Sequence, residues 1–75
     1  MDKVYVFYNS RGSSGNIFWI FGAFTVACTE AGLLDNDGCL EVIHQAMEAG
    51  SYEAALAVLG EYVELIDEAG MEAGA

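Results

Sequence analysis

Arg11-Gly12-Ser13-Ser14-Gly15-Asn16 is the stretch of this chain best suited to hold a ligand. Glycine and serine let backbone N–H groups turn toward one point, and a helix starting just after them would add the positive end of its dipole. Arg11 supplies a planar, permanently charged fork that matches phosphate. Together the six residues predict a cradle for a small anionic molecule. The same composition also fits a flexible connector that ends in a helix cap. No Gly-Lys-Ser/Thr follows, which excludes a P-loop, and the glycine spacing is not a dinucleotide fingerprint.

Other groups offer less chemistry. Asp35-Asn36-Asp37-Gly38 suggests calcium, but an EF-hand loop with Gly38 at its sixth position would need Glu where His44 stands. The segment is read as a turn and a helix cap. Cys28, Cys39 and His44 have no metal-ligand spacing, so neither a metal nor a cofactor is expected. The cysteines are read as small buried apolar groups, with a disulfide between them left open. His44 falls on or beside an apolar helix stripe, as a core or interface histidine would. No nucleophile–base pair is visible, so no enzyme activity is expected. Glu61, Glu64, Asp67 and Glu68 recur at helical spacing on one face. They form either a solubilising surface or, as an alternative function, an acidic surface that occupies a basic groove of a host protein.

The elements that must position these groups fit in one small domain. The chain has 75 residues, 55% of them hydrophobic, no proline, and a net charge of −10. Two cations against twelve carboxylates exclude a direct nucleic-acid binder and disfavour anionic membranes. The charge is also uneven. Residues 1–29 hold Asp2, Lys3 and Arg11, whereas every charged residue from Glu30 onward is a carboxylate. An anionic ligand is therefore drawn to the N-terminal part and a cationic surface to the C-terminal part.

Lys3 to Tyr8 is β-branched and aromatic and predicts a strand, with Tyr5 and Phe7 on one face. Asn16 to Ala31 predicts a helix capped by Asn16 or Ser14, although Ile17–Phe21 would also suit the second arm of a hairpin. A second helix is predicted over Asp37–Ala49, with Leu40, Ile43 and Met47 on its apolar stripe. A third is predicted from the Ser51 cap to Gly70, with Leu56, Leu59, Val63 and Ile66 inward. The fold class is α+β: one N-terminal strand followed by three helices in a single domain, 1–70, with a frayed tail over 71–75.

The first helix is apolar on every side, which requires burial on every side. So short a chain is expected to cover it by self-association. The predicted homo-oligomer interface is Tyr5, Phe7, Phe18, Trp19, Phe21 and Phe24. Twelve apolar residues, Ile17 to Cys28, are too few to span a bilayer, which takes about twenty. They do have the length of a signal-peptide core, and Thr25-Val26-Ala27-Cys28 faintly resembles a lipoprotein cleavage site. The strand-like, weakly basic residues before them argue for a retained segment and a cytoplasmic location.

Gly15-Asn16-Ile17-Phe18, Gly22, Ala31-Gly32, Gly50-Ser51-Tyr52 and Tyr62-Val63 together resemble a class of small uncharacterised proteins of phages, prophages and mobile elements. In that class a strand leads into a G-N-x-F helix start, and a later S-G-D-Y-like turn opens the last helix. This chain carries Ser14 and Ser51 where the class has Asp. The resemblance implies a phage or prophage accessory protein in the host cytoplasm that antagonises host defence by stoichiometric binding. With the Arg11–Asn16 loop, the expected action is sequestration of a nucleotide-derived signal.

Overall fold

The β-branched and aromatic run at the N-terminus forms the expected strand, β1 (Tyr5–Tyr8), in a computed structural model that describes residues 3–69. Its side chains alternate, Val6 and Tyr8 inward and Tyr5 and Phe7 outward. A single 3₁₀ turn, Ser13–Gly15, leads into α1 (Ile17–Glu30), so Ile17–Phe21 is helical and the hairpin alternative does not occur. The Asn16 side chain caps α1 by accepting from the Phe18 N–H at 2.8 Å. Gly32, at φ 71°, takes the left-handed position beyond the helix end that side chains avoid. Asp35 caps α2 (Asn36–Met47) through the Gly38 N–H at 2.7 Å, and Ser51 caps α3 (Tyr52–Leu59).

The chain then departs from the sequence expectation. The third helix stops at Leu59, and residues Glu64–Asp67 form a second strand, β2, parallel to β1. Tyr62-Val63-Glu64-Leu65-Ile66 is as strand-like as the N-terminal run, and an unpaired β1 edge supplies hydrogen bonds that a longer helix cannot. The fold is α+β, with two strands rather than one, joined by a three-helix crossover.

This change dissolves the acidic helix face. Glu61 lies in the turn before β2, and Glu68 follows the strand. Glu64 and Asp67 sit at opposite ends of β2 and on opposite faces. Glu64 is ion-paired with Lys3 at 3.5 Å. The single helix face expected of these four carboxylates does not form, although Glu61 and Glu64 still line one groove together with Glu53.

Burial corrects three further expectations. Phe21 and Phe24 are core residues of one copy, packed with Ile20 and Cys28, so neither belongs to an intermolecular surface. On α2 the inward stripe is Cys39, Val42 and Ala46, with Leu40 and Met47 exposed. Small side chains there let α2 lie close to both α1 and α3. His44 is exposed rather than part of the core. The expected frayed tail, 71–75, lies outside the described residues.

Cys28 and Cys39 meet in the core as free, buried thiols. Burial, the neighbouring Cys39 and donation of the Cys28 hydrogen to it push the Cys28 thiol up to about 11. Burial raises the Cys39 thiol as well. Neither is a thiolate near neutral pH, so the pair acts as core packing. Among the described residues no group of three or more His, Cys, Asp or Glu is placed to hold a metal ion. No helix among them is long and apolar enough to cross a membrane.

Candidate functional site

Parallel pairing sets the carboxyl ends of the two strands side by side, with Tyr8 next to Asp67. In open α/β sheets that edge is where ligands bind, because loops and helix starts converge there. The 9–16 loop leaves β1 at this point, so the predicted anion site has a fitting location.

The loop is held almost entirely by its own hydrogen bonds. The Asn9 N–H donates to Ser14 Oγ at 2.9 Å, and the Arg11 N–H donates to Asn9 Oδ1 at 2.9 Å. The Gly12 N–H reaches the Asn9 carbonyl at 3.0 Å, the Gly15 N–H that of Gly12 at 3.0 Å, and the Asn16 N–H that of Ser13 at 3.2 Å. Asp67, at the end of β2, receives the Ser10 N–H at 3.1 Å and the Ser10 hydroxyl at 2.7 Å. Asp67 also accepts from the Ala69 N–H at 3.0 Å.

These bonds divide the six predicted residues by role. Gly12, Ser14, Gly15 and Asn16 spend their donors or acceptors on building the loop. Arg11 and Ser13 are exposed and present their side chains outward. The structure therefore offers an anion a guanidinium and a hydroxyl on a loop largely hydrogen-bonded within itself.

Asp67 tunes this edge. Its hydrogen bond from the Ser10 hydroxyl, then those from the Ser10 and Ala69 amides and the field of Arg11, hold its carboxyl below the usual range against some desolvation. Burial first, and then Asp67, raise the Tyr8 and Tyr52 hydroxyls. A carboxylate with a depressed folded pKa stabilises fully above its unfolded pKa, and that contribution is lost as pH falls through the folded value. The wild-type thermal midpoint should therefore drop more steeply on acidification below the ordinary carboxylate range than that of Asp67→Asn. Parallel profiles from circular dichroism would show that the Ser10–Asp67 clamp contributes nothing.

An apolar cleft adjoins the loop. It measures about 330 Å³ and is walled by Phe18 and Phe21 of α1, Ala46 and Met47 of α2, and Tyr52 and Ala55 of α3. That volume lies at the lower end of small-molecule sites, roughly 300–1,000 Å³. The Tyr52 hydroxyl donates to the Gly15 carbonyl at 2.7 Å, so the cleft and the loop share a boundary. A wider groove of about 760 Å³ runs between α3 and β2, but Glu53, Glu61 and Glu64 line it against Lys3 alone and repel anions.

Tyr52, Met47 and Asp67 are thus the site residues that sequence reasoning placed elsewhere or passed over. Tyr52 belongs to the Gly50-Ser51-Tyr52 motif but carries no ligand role there, and no local spacing relates it to Gly15. Asp67 was assigned to a helix that ends before reaching it. Comparison with protein-family models, with curated proteins and with solved structures yields no match.

Proposed function

We propose that the protein is a non-enzymatic binding protein that captures a small anionic, nucleotide-derived ligand at the carboxyl edge of its sheet. The carrying observation is the junction of an aromatic cleft with the loop that displays Arg11, made at the Tyr52–Gly15 hydrogen bond. A flat base stacks on Phe18 and Tyr52, and the adjoining phosphate meets the Arg11 fork and the Ser13 hydroxyl. Arg11 is the cation of this edge, where the Asp67 carboxylate is occupied by Ser10, and Lys3, before the other end of β1, is paired with Glu64. The phage-like motifs supply a setting inside a bacterial host, where stoichiometric capture of a nucleotide signal antagonises defence.

The test is calorimetry against a panel of linear and cyclic nucleotides and their unphosphorylated nucleosides. At least one phosphorylated member should bind, with the matching nucleoside weaker. A charge-assisted hydrogen bond contributes about 1.5–3 kcal/mol, so Arg11→Ala should weaken binding at least tenfold. Phe18→Ala, which removes the stacking wall, should also weaken it. Silence across the panel, or affinity indifferent to both substitutions, rejects the proposal.

A further inference from the structure

Among the described residues β1 is paired along one edge only. The Glu64 N–H donates to the Val4 carbonyl at 2.8 Å. In a parallel ladder this turns the main-chain groups of Val4, Val6 and Tyr8 toward β2 and those of Tyr5 and Phe7 away from it. The side chains of Tyr5 and Phe7 are 48% and 50% exposed, and their rings stack at 6.4 Å. A short parallel sheet with an open aromatic edge is a feature that folded proteins cover.

The outward flank of α1, on the other face of the sheet from Tyr5 and Phe7, has the same character. α1 packs against both α2 and β1. Phe18 and Phe21 occupy its α2 flank, in the cleft. At 100° per residue, Trp19, Ala23 and Val26 fall on the opposite flank, alongside β1. Trp19 is 46% and Val26 55% exposed, and a side chain added at Gly22, between them, would meet open space.

Charge and area identify what covers this surface. From Val4 to Thr29 the chain has Arg11 as its one charged residue, whereas carboxylates recur from Glu30 onward. Here a second copy, itself at −10, meets Glu64, the register neighbour of Tyr5 that is already paired with Lys3, and it is repelled by the unpaired carboxylates elsewhere. Taking roughly 150–250 Å² for a whole aromatic side chain, Tyr5, Phe7, Trp19 and Val26 offer about 400 Å² of mainly apolar surface. A standard interface needs about 800 Å² per partner, somewhat over half of it apolar. The two surfaces, one on each face of the sheet beside β1, together supply most of that share.

We propose that two copies pair antiparallel through β1, about a two-fold axis at Val6. The product is a four-stranded sheet, ordered β2-β1-β1-β2, in which Tyr5 of each copy stands opposite Phe7 of the other. The Trp19–Val26 flanks of the two α1 helices pack beside the join. The assembly needs no ligand, so its fate is independent of the binding function above.

Sedimentation and amide hydrogen exchange on the full chain test it. The wild type should sediment as a dimer, with the Tyr5 and Phe7 amides protected, and dilution should remove the protection along with the dimer. Tyr5→Lys combined with Phe7→Lys should yield a folded monomer. If that variant fails to fold, Trp19→Gln with Val26→Gln should still raise the dissociation constant tenfold or more. A monomeric wild type at millimolar concentration overturns the proposal. So does a dimer whose Tyr5 and Phe7 amides exchange unprotected, or a different protein held on this edge while the chain stays single.

Discussion

Phe24→Ala should leave the domain largely unfolded at room temperature. Phe24 has no exposed surface, and its ring meets Tyr62 edge-to-face at 6.3 Å. It sits where α1 faces the turn that redirects the chain from α3 into β2. Removing a buried phenylalanine costs about 3–5 kcal/mol through lost transfer energy and the cavity left behind. A domain of this size holds only about 3–5 kcal/mol in total. The loss also falls on the turn that delivers β2 to β1, so the sheet should go with the core. Urea titration followed by circular dichroism should show no cooperative transition, or one shifted close to zero denaturant. Phe18→Ala, earlier on the same helix and exposed, should stay within about 0.5 kcal/mol of wild type. A Phe24→Ala protein as stable as Phe18→Ala would refute this description of the core.

The contrast between those two phenylalanines shows what the sequence reveals and what it conceals. A helix apolar all round announces that much of it is buried, but not which side meets its own chain. That is decided by α2 and α3, whose small residues Cys39, Val42, Ala46 and Ala55 let them close over Phe21 and Phe24. β1, the Asn16 cap and the helical state of 17–30 are legible because they rest on local physics: β-branched composition, a capping side chain and the length of an apolar run. β2 is not legible locally. Leu59, Val63 and Ile66 satisfy a helical repeat, while Tyr62 to Ile66 equally suit a strand. The deciding partner, β1, lies at the far end of the chain. The candidate site divides the same way. Gly and Ser at 12–15 mark a loop before a helix, but the Ser10, Arg11 and Gly12 amides are taken by Asp67 and Asn9, and that of Gly15 by Gly12. Its aromatic wall at Tyr52 comes from another helix altogether.

Gly15→Val is expected to destroy this loop and to separate its architecture from its chemistry. A Cβ on Gly15 would stand 2.6 Å from the Asn9 carbonyl oxygen, 2.7 Å from Ser10 Cα and 3.0 Å from the Ser10 carbonyl carbon. All three are backbone atoms, which no side-chain rotation can move aside. The loop must shift bodily, and the Tyr52–Gly15 and Ser10–Asp67 hydrogen bonds are the first to suffer. Overpacking costs about 1–3 kcal/mol and each lost hydrogen bond about 1 kcal/mol. The expected destabilisation is therefore about 3–5 kcal/mol, comparable to the whole stability of so small a domain. Gly12→Ala is the matched control, since its Cβ would find nothing nearer than 3.8 Å, and its stability should be unchanged. Arg11→Ala completes the set. It should unfold at the wild-type denaturant concentration while losing nucleotide affinity, because the guanidinium points outward from a support it does not build. If Gly15→Val matched Gly12→Ala in denaturant, the 9–16 loop would be a compliant connector, and Arg11 would have no rigid platform from which to select a ligand.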